Sequence, residues 1–306
     1  MKLVALAGGV GGAKLADGLA QLLPPENLTI IVNTGDDFEH LGLYISPDLD
    51  TVCYTLAGMS NPETGWGRKE ESFHVMENLR KLGGPTWFNL GDRDLATHIE
   101  RTRRLREGRS LSRITLDFCH AWGVRQSVLP MSDQPVHTMV DTAEFGELSF
   151  QEYFVHRKCE PRVKGFHFTG IETAQPAPGV LEAIEQADGI VVCPSNPWVS
   201  IDPILALAGL RSALVAKLVI AVSPIIDGKT VKGPAAKMFT ELGIQPSALA
   251  VVRHYGNILA GFILDNKDAY LGRNIPIPIW VTDILMNNQG DRNRLAQDVL
   301  NLIQTL

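Results

Sequence analysis

Four glycines in five residues, Gly8-Gly9-Val10-Gly11-Gly12, stand between the apolar run Lys2–Ala7 and a helical pattern over Ala13–Leu23. Glycine loses more backbone freedom on folding than any other residue, so such a run suits a sharp turn or a backbone that must approach something closely. A buried strand turning into a helix here places free N–H groups and the partial positive charge of a helix start where a phosphate can sit. The helix carries its apolar stripe at Leu15, Leu19 and Leu22 or Leu23, and Pro24-Pro25 stops it. A second largely apolar strand, Leu28–Val32, then ends in Asn33-Thr34-Gly35-Asp36-Asp37. Near-continuous apolar strands linked by a helix argue for a parallel sheet covered on both faces. A tight turn with no ligand is the plainer alternative for the glycine run.

The run fits neither standard phosphate template. G-x-G-x-x-G would need a glycine where Lys14 stands, and in the P-loop pattern a lysine follows glycine, whereas Lys14 follows Ala13. The one Gly-Lys-Thr, at Gly228-Lys229-Thr230, has Ser223 in place of the leading glycine. A dehydrogenase and an ordinary P-loop NTPase are both disfavoured. A formal net charge of -6 offers no basic face for nucleic acid, so a phosphate must be held locally, by backbone N–H groups, a few cations or a metal. The four cysteines are scattered without a C-x-x-C pair, which argues for free thiols. The apolar start is too short for a signal h-region or a bilayer span, so a soluble cytoplasmic protein is expected.

The spacing predicts helices over Val52–Leu56, Glu71–Leu82, Leu95–Arg106 and Leu111–Trp122, with no convincing strand among them. Strands return at Val136–Asp141, Val163–Thr169, Gly189–Cys193 and Leu218–Ser223, with helices at Pro178–Ala187 and Pro234–Leu242. The expected fold is α/β: a doubly wound, mostly parallel Rossmann-like sheet with an inserted helical subdomain. The core would comprise residues 1–50 and 124–306, and the helical insertion 51–123 would cap the site.

Ligands of such sheets sit beyond the carboxyl ends of the strands, where strand order reverses. Several polar segments belong there. Asp36-Asp37 suits a metal or a hydroxyl, or a plain solvated loop or helix cap. In Pro47-Asp48-Leu49-Asp50-Thr51, an extended backbone would turn Asp48 and Asp50 the same way, as Mg²⁺ carried by a diphosphate requires; Asp50 could instead be the N-cap of a helix Thr51–Ala57. In Gly91–His98, Asp92 is a plausible N-cap and Asp94 and His98 share a helix face; Arg93 could reach an anionic group. Pro194-Ser195-Asn196-Pro197 is a rigid strand-end loop whose Ser195 and Asn196 suit a base or ribose, or simply make a turn. Lys229 and Lys232 lie near another strand end and read more readily as a solvated face than as a phosphate clamp. Trp66-Gly67-Arg68 could stack on a planar ligand or merely pack. No acyl-transfer triad, G-x-S-x-G elbow or H-E-x-x-H spacing occurs. The residues read as a metal-assisted enzyme acting on a nucleotide or other phosphate ester.

Taken together, eight stretches in order resemble the 2-phospho-L-lactate transferases, which build the precursor of coenzyme F420. They are Gly8–Lys14, Val32–Asp37, Ser46–Thr51, Gly65–Gly67, Leu90–His98, Leu129–Asp133, Pro194–Pro197 and Ser223–Ile226. The spelling Gly-Gly-Val-Gly-Gly looks more like bacterial members. The resemblance implies a Mg²⁺-dependent transfer of a phospho-lactyl or phospho-enolpyruvyl group from a guanosine diphosphate-linked donor to the ribityl hydroxyl of the deazaflavin Fo, releasing GMP. By position, Gly8, Gly9, Val10, Gly11, Gly12, Lys14, Ser195 and Asn196 would hold the donor nucleotide. Asp36, Asp37, Asp48 and Asp50 would bind metal, Asp48 and Asp50 being the catalytic candidates, and Asp50, Asn89 and Trp66 would meet the deazaflavin. An Asp50→Asn variant should then lose most activity without unfolding. A homodimer is implied by resemblance only. The alternatives are a nucleotide-sugar-binding regulator of the same superfamily and a NAD-dependent oxidoreductase, which lacks its third glycine here.

Overall fold

The computed structural model describes residues 1–306. Seven strands form the central sheet: β1 (Leu3–Ala7), β2 (Leu28–Val32), β3 (Ser127–Pro130), β4 (Gly189–Val192), β5 (Val219–Val222), β6 (Gly261–Asp265) and β7 (Ile279–Thr282). Their order is β7-β6-β5-β4-β1-β2-β3, and every neighbouring pair is parallel. All five residues of β1 are buried because both faces are covered. Leu3, Ala5 and Ala7 join one apolar layer with Leu15, Leu19 and Val299, while Val4 and Leu6 join the other with Ile184, Leu210 and Phe239. This is why the strand reads as a continuous apolar run rather than an alternating one. No helix is long and apolar enough to cross a membrane.

From β1 the chain winds outward through β2 and β3; from β4 it winds the other way. The order therefore reverses between β1 and β4, and the crevice beyond their carboxyl ends is flanked by Gly8 and by Pro194-Ser195.

Five helices follow the first strands: α1 (Gly9–Leu22), α2 (Pro47–Leu56), α3 (His74–Lys81), α4 (Asp92–Arg106) and α5 (Leu111–Ala121). Three of them differ locally from what the sequence suggested. The glycine run is not a loop, because α1 begins at Gly9. Gly8 is extended, with φ -155°, and Gly9 is left-handed, with φ 62°, so the chain reverses within two residues. A Cβ on Gly8 would lie 2.6 Å from Asp48 Oδ2, one on Gly12 would lie 2.7 Å from Ser195 Oγ, and one on Gly11 would collide with the Pro194 carbonyl oxygen. Close approach of α1 to the loop after β4 thus demands these glycines before any ligand is considered. Gly11→Ala is expected to lose about 2–3 kcal/mol of stability, since the obstacle is backbone and cannot swing away; a urea unfolding curve superposing on wild type would contradict that contact.

The segment Pro47–Asp50 is helical rather than extended, with Ser46 as N-cap and Pro47 opening the first turn. Two residues along a helix are about 200° apart, so Asp48 and Asp50 point away from each other. Asp92 likewise does not cap its own helix, where Gly91 is the N-cap. The Asp92 carboxylate accepts the N–H groups of His74 and Val75, capping α3, while the Glu71 carboxylate accepts those of Arg93 and Asp94, capping α4. Each helix start is satisfied from the other's neighbourhood.

Two further departures concern strands. Phe38–His40 and Leu43–Ile45 form a hairpin turned by Leu41 and Gly42, at φ 55° and 71°. Leucine is a poor marker for a turn with two left-handed residues. The segments expected as strands near Val136–Asp141 and Val163–Thr169 do not join the parallel sheet. They pair antiparallel, as His137–Thr142 and Val163–Thr169 with Gly146–Ser149, in a separate sheet. Their alternating pattern suits a sheet with one face covered.

Candidate active site

Four chain segments meet at the carboxyl ends of β1, β2 and β4. Asp48, from the first turn of α2, accepts the Gly9 N–H at 2.8 Å and the Asn33 side-chain amide at 2.9 Å. Asn33 also donates to the Val199 carbonyl at 3.1 Å, and its own amide oxygen accepts the Gly35 N–H at 2.9 Å. From the loop after β4, Ser195 Oγ donates to the Gly8 carbonyl at 2.8 Å and accepts the Gly8 N–H at 3.2 Å. The start of α1 is therefore locked to β2 through Asp48 and Asn33, and to β4 through Ser195.

Asp36 and Asp37 follow β2 and are buried. Asp37 accepts the Ser46 hydroxyl at 2.7 Å, but its other carboxylate oxygen and one oxygen of Asp36 have no hydrogen-bond partner. Burial, with Asp48 and Asp37 as like-charged neighbours, pushes the Asp36 carboxyl well above the usual carboxylate range. Burial raises Asp37 too, against the Ser46 hydrogen bond and the Arg101 charge. The Asp48 carboxyl is pushed up to about 6 by burial, against the hydrogen bonds from Asn33 and Gly9. No lysine or arginine makes an ion pair with Asp36, Asp37 or Asp48. A buried acid corner with orphaned oxygens is what a cation-binding site requires before the cation is added.

Asp50 lies in a different environment. Its carboxylate is gripped by both terminal nitrogens of Arg101, and both residues are buried. His98 Nδ1 lies 3.2 Å from Arg101 Nη1 and 3.7 Å from Asp50 Oδ2, and His98 Nε2 lies 3.4 Å from Asp94 Oδ2. Tyr54 closes the network by donating to Asp94 at 2.7 Å. Burial would raise Asp94, but His98 and the Tyr54 hydroxyl hold it below its ordinary value. Asp50, Asp94 and His98 could place ligand atoms within 4.8 Å of one another. The guanidinium already supplies the positive charge there, so the set reads as an ion-pair network rather than a metal centre.

Other residues singled out in the sequence are spread around this core. The Asn196 side chain caps Trp198 and donates toward Met238 Sδ, which commits it to its own loop. Lys14 Nζ donates to the Met286 carbonyl at 2.6 Å. Arg93 meets Glu70 at the surface. Asn89 is exposed just before α4. Trp66 is 53% exposed on a loop whose neighbouring Gly65 touches Val10, which places it on the glycine-turn side. Beside Asp37, Phe38, His40, Trp87 and Phe88 form an aromatic cluster with ring centroids 4.9 to 6.2 Å apart.

Sequence reasoning did not single out Arg101, Asn33, Ser46 or the aromatic cluster. Arg101 had a usable signal: Asp94, His98 and Arg101 fall at i, i+4 and i+7, one polar stripe on α4. Asn33 ends a strand, where an amide can tie loops together, but nothing local distinguished it from a turn residue.

Known proteins resemble this chain in sequence and in fold. The profile of the family described as 2-phospho-L-lactate transferase CofD matches residues 3–289. A phosphoenolpyruvate transferase of Streptomyces griseus subsp. griseus is 45% identical over 299 residues, spanning 93% of this chain and 94% of that one. A 2-phospho-L-lactate transferase of Methanosarcina mazei is 41% identical over 266 residues, spanning 87% and 88%. Among solved structures, a member of the upf0052 family from Bacillus halodurans superposes with a TM-score of 0.64 over 98% of both chains at 17% identity, a likeness of fold.

Proposed function

The chain belongs to the 2-phospho-L-lactate transferase CofD family, and from that premise we propose that it transfers a phosphorylated three-carbon acid from a guanosine diphosphate-linked donor to the deazaflavin Fo. The name of the Streptomyces griseus relative supports an enolpyruvyl donor. In this reading the terminal ribityl hydroxyl of Fo attacks the phosphorus bearing the acid. A new P–O bond forms, the P–O bond of the diphosphate bridge breaks, GMP leaves with its electron pair, and the hydroxyl proton passes to the acid corner or to water.

The observation that carries the proposal is the contact of Asp48 with the α1 start at Gly9, next to a strand end where buried Asp36 and Asp37 each keep one carboxylate oxygen without a hydrogen-bond partner. The backbone beyond Gly9, whose own N–H is committed to Asp48, would face a diphosphate at the positive end of a helix. Asp48 fixes that turn from below. Asp36, Asp37 and Asp48 would hold Mg²⁺, whose charge would offset that developing on the departing phosphate. The edge-on aromatic cluster at Phe38, Trp87 and Phe88 would offer the deazaflavin apolar contacts beside Asp37, and Arg101 holds Asp50 through a paired hydrogen bond. Positioning and electrostatics suffice for such a transfer, which agrees with the absence of a nucleophile-base pair.

Incubation with Mg²⁺, Fo and each guanylylated acid, followed by mass spectrometry, should yield the coupled product from at least one donor. Tight binding of a nucleotide sugar without turnover of any donor would favour a regulator instead.

A further inference from the structure

The loop Asn61–Arg68 crosses toward the glycine turn, with its two ends joined by a Ser60–Arg68 bridge and by a hydrogen bond from the Asn61 N–H to the Gly67 carbonyl. At its tip, Gly65 is left-handed at φ 78°, and a Cβ there would lie 2.7 Å from Val10 Cγ1 and 3.0 Å from Lys232 Nζ. The next carbonyl back, that of Thr64, accepts a hydrogen bond from Lys232 Nζ at 2.6 Å. The loop tip is thus wedged between the second residue of α1 and an ammonium group from the far side of the crevice.

Lys232 has a counterpart. Lys14 lies four residues beyond Val10 and so on the same face of α1. Its ammonium donates to a carbonyl as well, and neither lysine makes an ion pair with any carboxylate. Burial holds the Lys14 pKa below the ordinary lysine value, and the charges of Arg292 and Lys232 add to it against that of Asp291. The two lysines flank the same loop tip, since Gly65 lies against both Val10 and Lys232, and each ammonium is held by a neutral carbonyl rather than by a direct ion pair. An ammonium has three hydrogens, so Lys232 can keep Thr64 and still meet a phosphate oxygen.

We propose that Lys14 and Lys232 clamp the phosphates of the donor, and that Lys232, by holding the Thr64 carbonyl at the same time, docks the Asn61–Arg68 loop over the occupied site. The clamp rests on the reading of a diphosphate-linked donor but does not require the base to be guanine. Lys232 is exposed, so Lys232→Met should leave folding intact.

The test uses inorganic diphosphate, GDP and ADP as probes, with wild type and Lys232→Met compared by titration calorimetry. Trypsin cleavage after Arg68 and Lys69 is followed by mass spectrometry with and without saturating GDP. Loss of one charge-assisted hydrogen bond should weaken diphosphate and GDP binding about tenfold, and GDP should protect the loop in wild type but not in the variant. Equal affinity of the two proteins for diphosphate, or no binding by either, overturns the clamp. Equal protection of the loop in the two proteins overturns the docking. Diphosphate binding that Lys232→Met weakens, without preference for GDP over ADP, upholds the clamp and removes the guanylylated donor.

Discussion

Arg101→Met is expected to destabilise the protein by about 3–5 kcal/mol, the cost of leaving a buried charge without its partner. The substitution keeps much of the side-chain volume but leaves the Asp50 carboxylate buried with no guanidinium, inside a network that already contains Asp94. Burial pushes Asp50 up even with Arg101 and His98 in place, so without Arg101 the cheapest outcome is protonation or local opening of α2. Urea unfolding at pH 7 reads the loss directly. The same geometry revises what Asp50→Asn should do. An asparagine leaves the Arg101 charge buried and unmatched, so loss of activity will come with loss of stability. A double variant, Asp50→Leu with Arg101→Met, should recover a large part of either single loss, because no buried charge is left alone. A single-variant loss below about 1 kcal/mol would mean that the pair is not sequestered as described.

Asp48→Asn is expected to lower turnover about a hundredfold, on the scale of removing one preorganised electrostatic contact from a water-poor site. Asp48 receives hydrogen bonds from the Gly9 N–H and from Asn33, so the change slackens the start of α1 as well as removing a charge. The variant also carries a pH signature. In the folded protein the Asp48 carboxyl sits at about 6, above the ordinary 3.8, so between those values the folded state holds the proton more tightly than the unfolded chain. Its contribution to stability is complete below about pH 4 and is lost as pH rises through about 6. Asparagine lacks this titration, so the stability of wild type relative to the variant should fall by up to about 3 kcal/mol from pH 4 to pH 7. Parallel stability profiles would show that Asp48 does not titrate abnormally.

The parallel sheet was legible because its strands are buried on both faces. Leu3–Ala7 and Leu28–Val32 could hardly be anything else, and the segments closing the crevice were visible as glycine- or proline-bearing strand ends. The site was less legible. Asp48 and Asp50 looked equivalent on paper, but about half a helical turn between them sends Asp48 to the glycine turn and Asp50 to Arg101. That separation depends on Pro47 opening a helix at once, and an extended reading of Pro-Asp-Leu-Asp hides it. The capping exchange between Glu71 and Asp92 was invisible for another reason: it joins helix starts to carboxylates well outside the local window, and N-cap rules look only at neighbours. Gly11 and Gly12 suggested a ligand, yet the contacts they relieve are first with Pro194 and Ser195. A close-packed turn and a phosphate cradle demand the same residue, and sequence cannot separate the two demands.

In the proposed reaction, the crevice between β1 and β4 couples departure of GMP to capture by an acceptor hydroxyl, rather than binding a nucleotide or hydrolysing one. The decisive measurement counts GMP against coupled product, with the guanylylated enolpyruvyl donor and Mg²⁺, in the presence and absence of Fo. One GMP should appear for each product molecule, and almost no GMP when Fo is omitted. GMP released at the same rate without Fo, or no product from any guanylylated acid, would contradict that coupling.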